Sequence, residues 1–249
     1  MFSPAQVLPV VAAAGELLLC SGAEVSRVED TLIRIAQAYG VAETEVYATP
    51  TGLFVTLGAE HLTTVRRIQG RTIALDRVSA VNALSRELVE HPMDPALALN
   101  RIAAIAQQTG PAPAWTDPIF AALAAAACTM LVGGALSDFA PAVLANFIVQ
   151  WVQRTVVSFR LPDAIADFAS GFAAVFCAIA ATAWLGAQFL PVIAGGIMVL
   201  VPGIAFTTAV RDAMAGDLTS ATTKALEATM KAASLAAGVA SGLFVTGRF

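Results

Sequence analysis

The sequence predicts a mainly α-helical, polytopic membrane protein of about five spans, with a small N-terminal α+β domain on the cytoplasmic side. Three observations predict it. Of 249 residues, 57% are hydrophobic and 13% charged, where a soluble domain carries roughly 45–50% and 25%. The mean hydropathy is +0.74. The charge is also unevenly placed: residues 1–117 hold 8 basic and 12 acidic groups, residues 118–249 only 6 of each. Finally, the apolar runs after Pro118 approach the roughly 20 residues that a bilayer crossing needs. A compact soluble globule with so few charges could not cover its surface. An ordinary soluble enzyme, a disordered chain and a basic nucleic-acid binder are excluded; 14 Lys+Arg against 18 Asp+Glu leave no electrostatic footprint for nucleic acid.

The N-terminal domain is expected over residues 1–113. Ala5 to Cys20 lacks a basic leader and contains Pro9 and Glu16. It reads as a helix packed in that domain, not as a signal peptide, and it is short for a span. Glu24 to Tyr39 is a helix with Val25, Val28, Leu32, Ile33 and Ile35 on one side and Gly40 as its terminator. Val46 to Leu57 is rich in Val, Tyr, Thr and Phe and reads as one strand interrupted by Pro50-Thr51-Gly52; His61 to Gln69 is a second. Thr72 or Asp76 to Glu90 is a helix. Asp94 caps another, with Pro95 at its first position, running to about Gln108. Gly110-Pro111-Ala112-Pro113 is the expected linker.

The membrane domain is expected over 114–249, with spans at about 118–136, 139–158, 164–186, 189–209 and 226–246. Backbone groups in lipid must bond internally, so the spans are helices. Span 2 is the least apolar, with Asn146, Gln150, Gln153 and Arg154. Arg154 and Arg160 follow span 2, and Arg211 and Lys224 follow span 4; no Lys or Arg follows spans 1 and 3. The positive-inside rule puts the two basic loops and the N-terminal domain in the cytoplasm. Five spans then place Gly247-Arg248-Phe249 outside. Gly238 to Gly242 forms a small-xxx-small pattern, and Gly195-Gly196 lies between Pro191 and Pro202.

Catalytic motifs are missing. No Walker A loop, GxGxxG, HExxH, CxxC or GxSxG occurs. Two histidines cannot build a metal cluster unaided, and Cys20, Cys128 and Cys177 lie in apolar runs as reduced thiols. No cofactor and no metal are expected. The polar groups in unusual places are more informative. Glu24, Arg27, Glu29 and Asp30 concentrate charge at a helix start, where the helix dipole accounts for Glu24 but not for the set. Thr49-Pro50-Thr51-Gly52 breaks a strand and leaves backbone groups in need of partners. Asn146 and Gln150 set two amides on one face of span 2. Pro202-Gly203 breaks a helix shortly before Thr207, the adjacent Arg211-Asp212 pair, and Asp217. Asp163 and Asp167, at i and i+4, open span 3 as caps. Polar amides at depth suggest a bundle interior or a water-filled path, while a turn at Pro50 and anchoring at a span end are the plain structural explanations for the other breaks.

Together these segments resemble the threonine/serine exporter family, specifically its N-terminal half, which also occurs as a separate chain. The matching pieces are Gly22-Ala23-Glu24 with Arg27-Val28-Glu29, Ala48-Thr49-Pro50-Thr51-Gly52-Leu53-Phe54-Val55, Arg66-Arg67-Ile68, Leu75-Asp76-Arg77-Val78-Ser79-Ala80-Val81-Asn82, and Val201-Pro202-Gly203 with Arg211-Asp212 and Ala215-Gly216-Asp217-Leu218. They cover nearly the whole chain in order. The resemblance implies secondary export of threonine and serine, or of a dicarboxylate such as succinate in the split form. It also implies a small multi-span partner subunit in the same cytoplasmic (inner) membrane, and an oligomer. The second half of single-chain members is missing.

The expected site residues are Glu24, Arg27, Glu29, Thr49, Pro50, Thr51, Gly52, Asn146, Gln150, Pro202, Gly203, Thr207, Arg211, Asp212 and Asp217. Arg27, with Arg66 or Arg67, would attract a carboxylate at the cytoplasmic mouth; Arg211 and Asp212 would gate or couple. The rival readings are a membrane-anchored hydrolase using Ser26, His61 and Asp30, and a scaffold that only stabilises a partner.

Overall fold

The computed structural model describes residues 2–70, 72–108, 116–159 and 161–248. The expected linker at 110–113, Arg160 of the first basic loop and Phe249 lie outside the described residues. The chain forms two compact units: Met1–Gly110 with Thr207–Lys224, and Pro111–Phe206 with Ala225–Phe249.

In the first unit, α1 (Pro4–Cys20) is the central helix. Val7, Val10, Val11, Ala14, Leu17, Leu18 and Leu19 are all buried, so both sides of the helix are covered. It packs against α2 (Val25–Ala38), α3 (Leu75–Glu90), α4 (Pro95–Gln107) and a three-stranded sheet. Val25, Val28, Leu32 and Ile35 form the buried stripe of α2 at helical spacing. Gly40, at φ +82°, ends it: its N–H donates to Gln37 O and the Val41 N–H to Ala36 O. The Asp94 side chain accepts from the Ala96 N–H at 2.8 Å and caps α4.

The interrupted strand is two strands. β1 (Thr44–Thr49) and β2 (Gly52–Leu57) pair antiparallel with Thr49 opposite Gly52, so Pro50-Thr51 is a two-residue hairpin loop. Proline has no N–H to give a ladder, and it starts a turn here instead of extending a strand. β3 (Leu62–Arg67) pairs with β2, giving the order β1-β2-β3. Ala48, Leu53, Val55 and Leu57 face the core, while Tyr47, Phe54 and Val65 face outward and are exposed.

The second unit is helical: α5 (Asp117–Leu131), a 3-10 turn at Leu136–Asp138, α6 (Phe139–Ser158), α7 (Asp163–Leu185) and α8 (Phe189–Leu200). α9 (Gly203–Met214) and α10 (Leu218–Val245) complete the chain. Buried alanines dominate the core, among them Ala126, Ala142, Ala178 and Ala181. Small residues let backbones approach. A Cβ on Gly171 would meet the Leu235 carbonyl, and one on Gly238 the Phe168 carbonyl, so α7 and α10 touch through glycine on both sides.

Among the described residues two helices, α7 and α10, are long and apolar enough to cross a membrane, and α8 with α9 makes a third if the bent pair is one span. The expected run at 118–136 condenses to a 15-residue helix. The run at 139–158 is a 20-residue helix diluted by its amides and Arg154. The run at 189–209 is bent by 50°, because Val201, preceding Pro202, is extended at ψ 133°. α10 starts eight residues before the expected 226, since its first turns are polar and carry no hydropathy signal.

Replacing Gly238 by Leu forces α7 and α10 apart at backbone level. We expect overpacking of about 1–3 kcal/mol, seen as a lower melting temperature in detergent. Ala233→Leu, on the exposed side of α10, leaves the melting temperature near the wild-type value.

Candidate functional site

Eleven of the expected residues lie in the first unit: Glu24, Arg27, Glu29, Thr49, Pro50, Thr51, Gly52, Thr207, Arg211, Asp212 and Asp217. Asn146, Gln150, Pro202 and Gly203 lie in the second.

Glu24 sits at the N-cap position of α2. Its carboxylate is 13% exposed and lies between two guanidinium groups. Arg27, one turn on, comes within 3.9 Å and is 77% exposed. Arg211 of α9 donates to Glu24 Oε1. Residues 187 positions apart thus form one charged cluster at the surface of this unit. Arg211 and Asp212, adjacent in sequence, diverge in space: successive helical residues point about 100° apart. Asp212 is 1% exposed and turns the other way. Its Oδ2 accepts from Lys224 Nζ at 2.6 Å and from Ser220 Oγ at 2.9 Å. Asp217 accepts from the Ser220 N–H at 2.9 Å, capping α10, and its own N–H donates to Asp212 O. A turn between two helices is therefore stitched around one buried carboxylate. Lys224 and Ser220 were missed because their partner is separated from them by a helix break.

Glu29 also has a defined job. Its Oε1 accepts from the Ala48 N–H at 2.8 Å, joining α2 to the end of β1. The Pro50 hairpin supplies its other partners itself: Thr49 Oγ1 donates to Gly52 O, and the Ile68 N–H to Thr51 O. The Gly52 and Thr51 carbonyls at the strand break are thereby satisfied within the unit. Burial pushes the Glu29 carboxyl up from its ordinary value, the Ala48 N–H opposes this, and the nearby Asp217 and Asp30 charges add to the rise. Arg66 and Arg67 are exposed on β3. No hydrogen bond links Ser26, His61 and Asp30 among the described residues; His61 is an exposed turn residue at φ +49°.

In the second unit, Asn146 is buried on α6, with Nδ2 donating to Ala142 O at 2.9 Å. A Cβ on Gly196 would meet its Oδ1, so the glycine makes room for the amide. Gln150, one turn on, has a buried Nε2 with no hydrogen-bond partner. Pro202 is half-buried and Gly203 exposed at the α8–α9 break; Thr207 is exposed on α9. Asp167 does not cap α7: it is 1% exposed, with Gln153 Nε2 at 3.4 Å and Lys231 Nζ at 3.8 Å from Oδ1. Asp138, also 1% exposed, accepts from the Ala135 N–H at 2.8 Å and the Gln188 N–H at 3.1 Å, closing two loops at once. An acidic residue fully buried among alanines was the available signal for Asp167. Among the described residues no group of three His, Cys, Asp or Glu could hold a metal ion.

The sequence model of a family described as "Putative threonine/serine exporter" matches residues 9–246. A protein of Mycobacterium tuberculosis named "Probable threonine/serine exporter" is 23% identical over 245 residues, which are 97% of this chain and 46% of the relative. The chain thus spans less than half the length of that relative. No solved structure matches the chain.

Two outcomes follow. Asp212→Ala leaves Lys224 and Ser220 without their acceptor, and breaking such a buried pair costs about 3–5 kcal/mol. The loss is read as reduced thermal stability, and Asp212→Leu combined with Lys224→Met recovers much of it. For Glu29, a raised carboxyl pKa means that stability falls as pH rises from the ordinary value of 4.5 through the folded value. Glu29→Gln, which keeps an acceptor for Ala48, is therefore more stable than wild type at neutral pH. Melting curves across pH show that advantage vanishing toward pH 4.5.

Proposed function

Because the chain belongs to the threonine/serine exporter family, we propose that it is a subunit of a secondary transporter exporting small polar metabolites across the cytoplasmic membrane. The substrates in this reading are threonine and serine, or a dicarboxylate such as succinate. The part of the relative that this chain does not match is supplied by a second, small multi-span membrane subunit, in an oligomer embedded in the bilayer.

The observation that carries the reading is the bond from Arg211 to Glu24, directly after a helix broken at Pro202-Gly203. It ties the segment following the broken pair to the N-terminal charged cluster. Thr207–Lys224 shares a compact unit with Met1–Gly110, so in this reading the chain crosses the membrane an even number of times between them. Four crossings by α5, α6, α7 and α8 with α9, followed by α10, make the five expected spans. Arg154, Arg211 and Lys224 then face the same side as the N-terminal domain, in line with the positive-inside rule. That side is the cytoplasm.

In the mechanism, Arg27 is the open half of a shared pair. Its guanidinium is largely exposed while Arg211 neutralises Glu24. A planar guanidinium matches a carboxylate with two parallel N–H groups. A substrate carboxylate drawn to Arg27 and then to Arg211, which is also largely exposed, competes with Glu24 for that second guanidinium and loosens the tie between α2 and α9. Broken helices like the α8–α9 pair line substrate paths in other transporters.

Arg211→Ala removes an ion pair that is exposed on the arginine side, worth about 0.2–1 kcal/mol to folding. In cells that also carry the second subunit, we expect export of labelled threonine to fall by about tenfold or more, with the protein still present in the membrane. Normal export by this variant contradicts the assignment.

A further inference from the structure

The buried polar groups of the second unit form a stripe that the charged cluster around Glu24 does not involve. On α6, Gln150 and Gln153 are three residues apart and share a face. Gln153 meets Asp167 of α7, and Asp167 in turn meets Lys231 of α10. Three helices therefore contribute to one polar locus inside a unit whose hydrophobic clusters are built of alanine, valine, isoleucine and leucine. Asp167 begins the second turn of α7, about 6 Å along the axis from its start.

Two features make this locus more than a structural ion pair. The Asp167 side chain is 2% exposed, yet its Oδ2 has no hydrogen-bond partner. The Gln150 Nε2, on the same α6 face as Gln153, is also buried and without a partner. The bonds that Asp167 does have are long: 3.4 Å to Gln153 and 3.8 Å to Lys231, against about 2.7–3.2 Å for a settled one. A buried charge is usually paired and its remaining lone pairs satisfied. Here an acceptor, a donor and a half-buried cation remain loosely engaged. An ionisable residue in this state on a membrane-spanning helix is a functional-site candidate.

We propose that Asp167, Lys231 and Gln150 form a binding site for the zwitterion of a small α-amino acid. The substrate ammonium donates to Asp167 Oδ2, its carboxylate takes Lys231 Nζ, and a carboxylate or hydroxyl oxygen accepts from Gln150 Nε2. One anion beside one cation complements a zwitterion. A dicarboxylate would need a second cation and would face Asp167 with like charge. The site therefore selects threonine or serine over succinate. This inference rests on the transport reading and narrows its substrate class.

The test uses the full chain in lipid nanodiscs, with binding measured calorimetrically for L-threonine, succinate and 2,3-dihydroxybutanoate, which replaces the ammonium of threonine by a hydroxyl. Wild type binds threonine about tenfold or more tighter than either of the others. Asp167→Asn abolishes that preference. Gln150→Leu, an apolar change on a membrane helix that does not endanger folding, weakens threonine binding by a smaller factor and leaves the ammonium preference intact. Equal threonine affinity in wild type, Asp167→Asn and Gln150→Leu overturns the proposal, as does succinate binding as tightly as threonine. Efflux from cells carrying the same variants separates the two levels. Threonine export that is insensitive to Asp167→Asn sinks this site while the exporter stands. Wild-type protein that binds neither threonine nor serine and, together with the second subunit, exports neither sinks both.

Discussion

A charge taken out of water has to meet an opposite charge or N–H and O–H groups aimed at it, or it costs several kcal/mol. In a chain with 13% charged residues, this constraint decides how each unit is joined internally. Asp212 gathers Lys224 and Ser220 and so sets the turn between α9 and α10. Asp138 gathers two backbone N–H groups and sets the loops before α6 and α8. Glu29 gathers the Ala48 N–H and fixes α2 against the hairpin. Asp167 satisfies the rule least completely, with one carboxylate oxygen unpaired. Full satisfaction accompanies a structural role; incomplete satisfaction accompanies the proposed ligand site.

Packing among the helices of the second unit follows a different economy. Lipid offers no hydrophobic drive between helices, so close approach of small residues supplies the contact. Gly195 meets Thr129 and the Ala125 carbonyl, Gly196 meets Asn146, and Gly171 and Gly238 meet backbone carbonyls across α7 and α10. At Pro202 the helix cannot carry its hydrogen-bond ladder through a proline, so α8 ends there.

Much of this was legible in the sequence. Periodic Val25, Val28, Leu32 and Ile35 gave α2, Gly40 its end, and Asp94-Pro95 the start of α4, because these signals are local. The hairpin reads in the sequence as one interrupted strand, since Pro50-Thr51 forms a tight loop inside a run that stays apolar on both sides. The start of α10 was read too late because Thr219, Ser220, Thr222 and Thr223 are helical through capping, not hydropathy. Of the expected site residues, Glu24, Arg27 and Arg211 lie together in one charged cluster. Their pairing was not legible, because Arg211 and Asp212 are adjacent in sequence and diverge in space. Lys224 and Lys231 find their partners 12 and 64 positions away, Asp212 and Asp167, and no spacing rule reaches that far.

Transport itself is tested most directly by efflux. Cells lacking their own exporters, loaded with labelled threonine, serine or succinate, are followed with this chain alone, with the second membrane subunit, and with neither. The account predicts efflux of threonine or serine only when both chains are present. A stable complex of the two chains that moves none of the three substrates would contradict it.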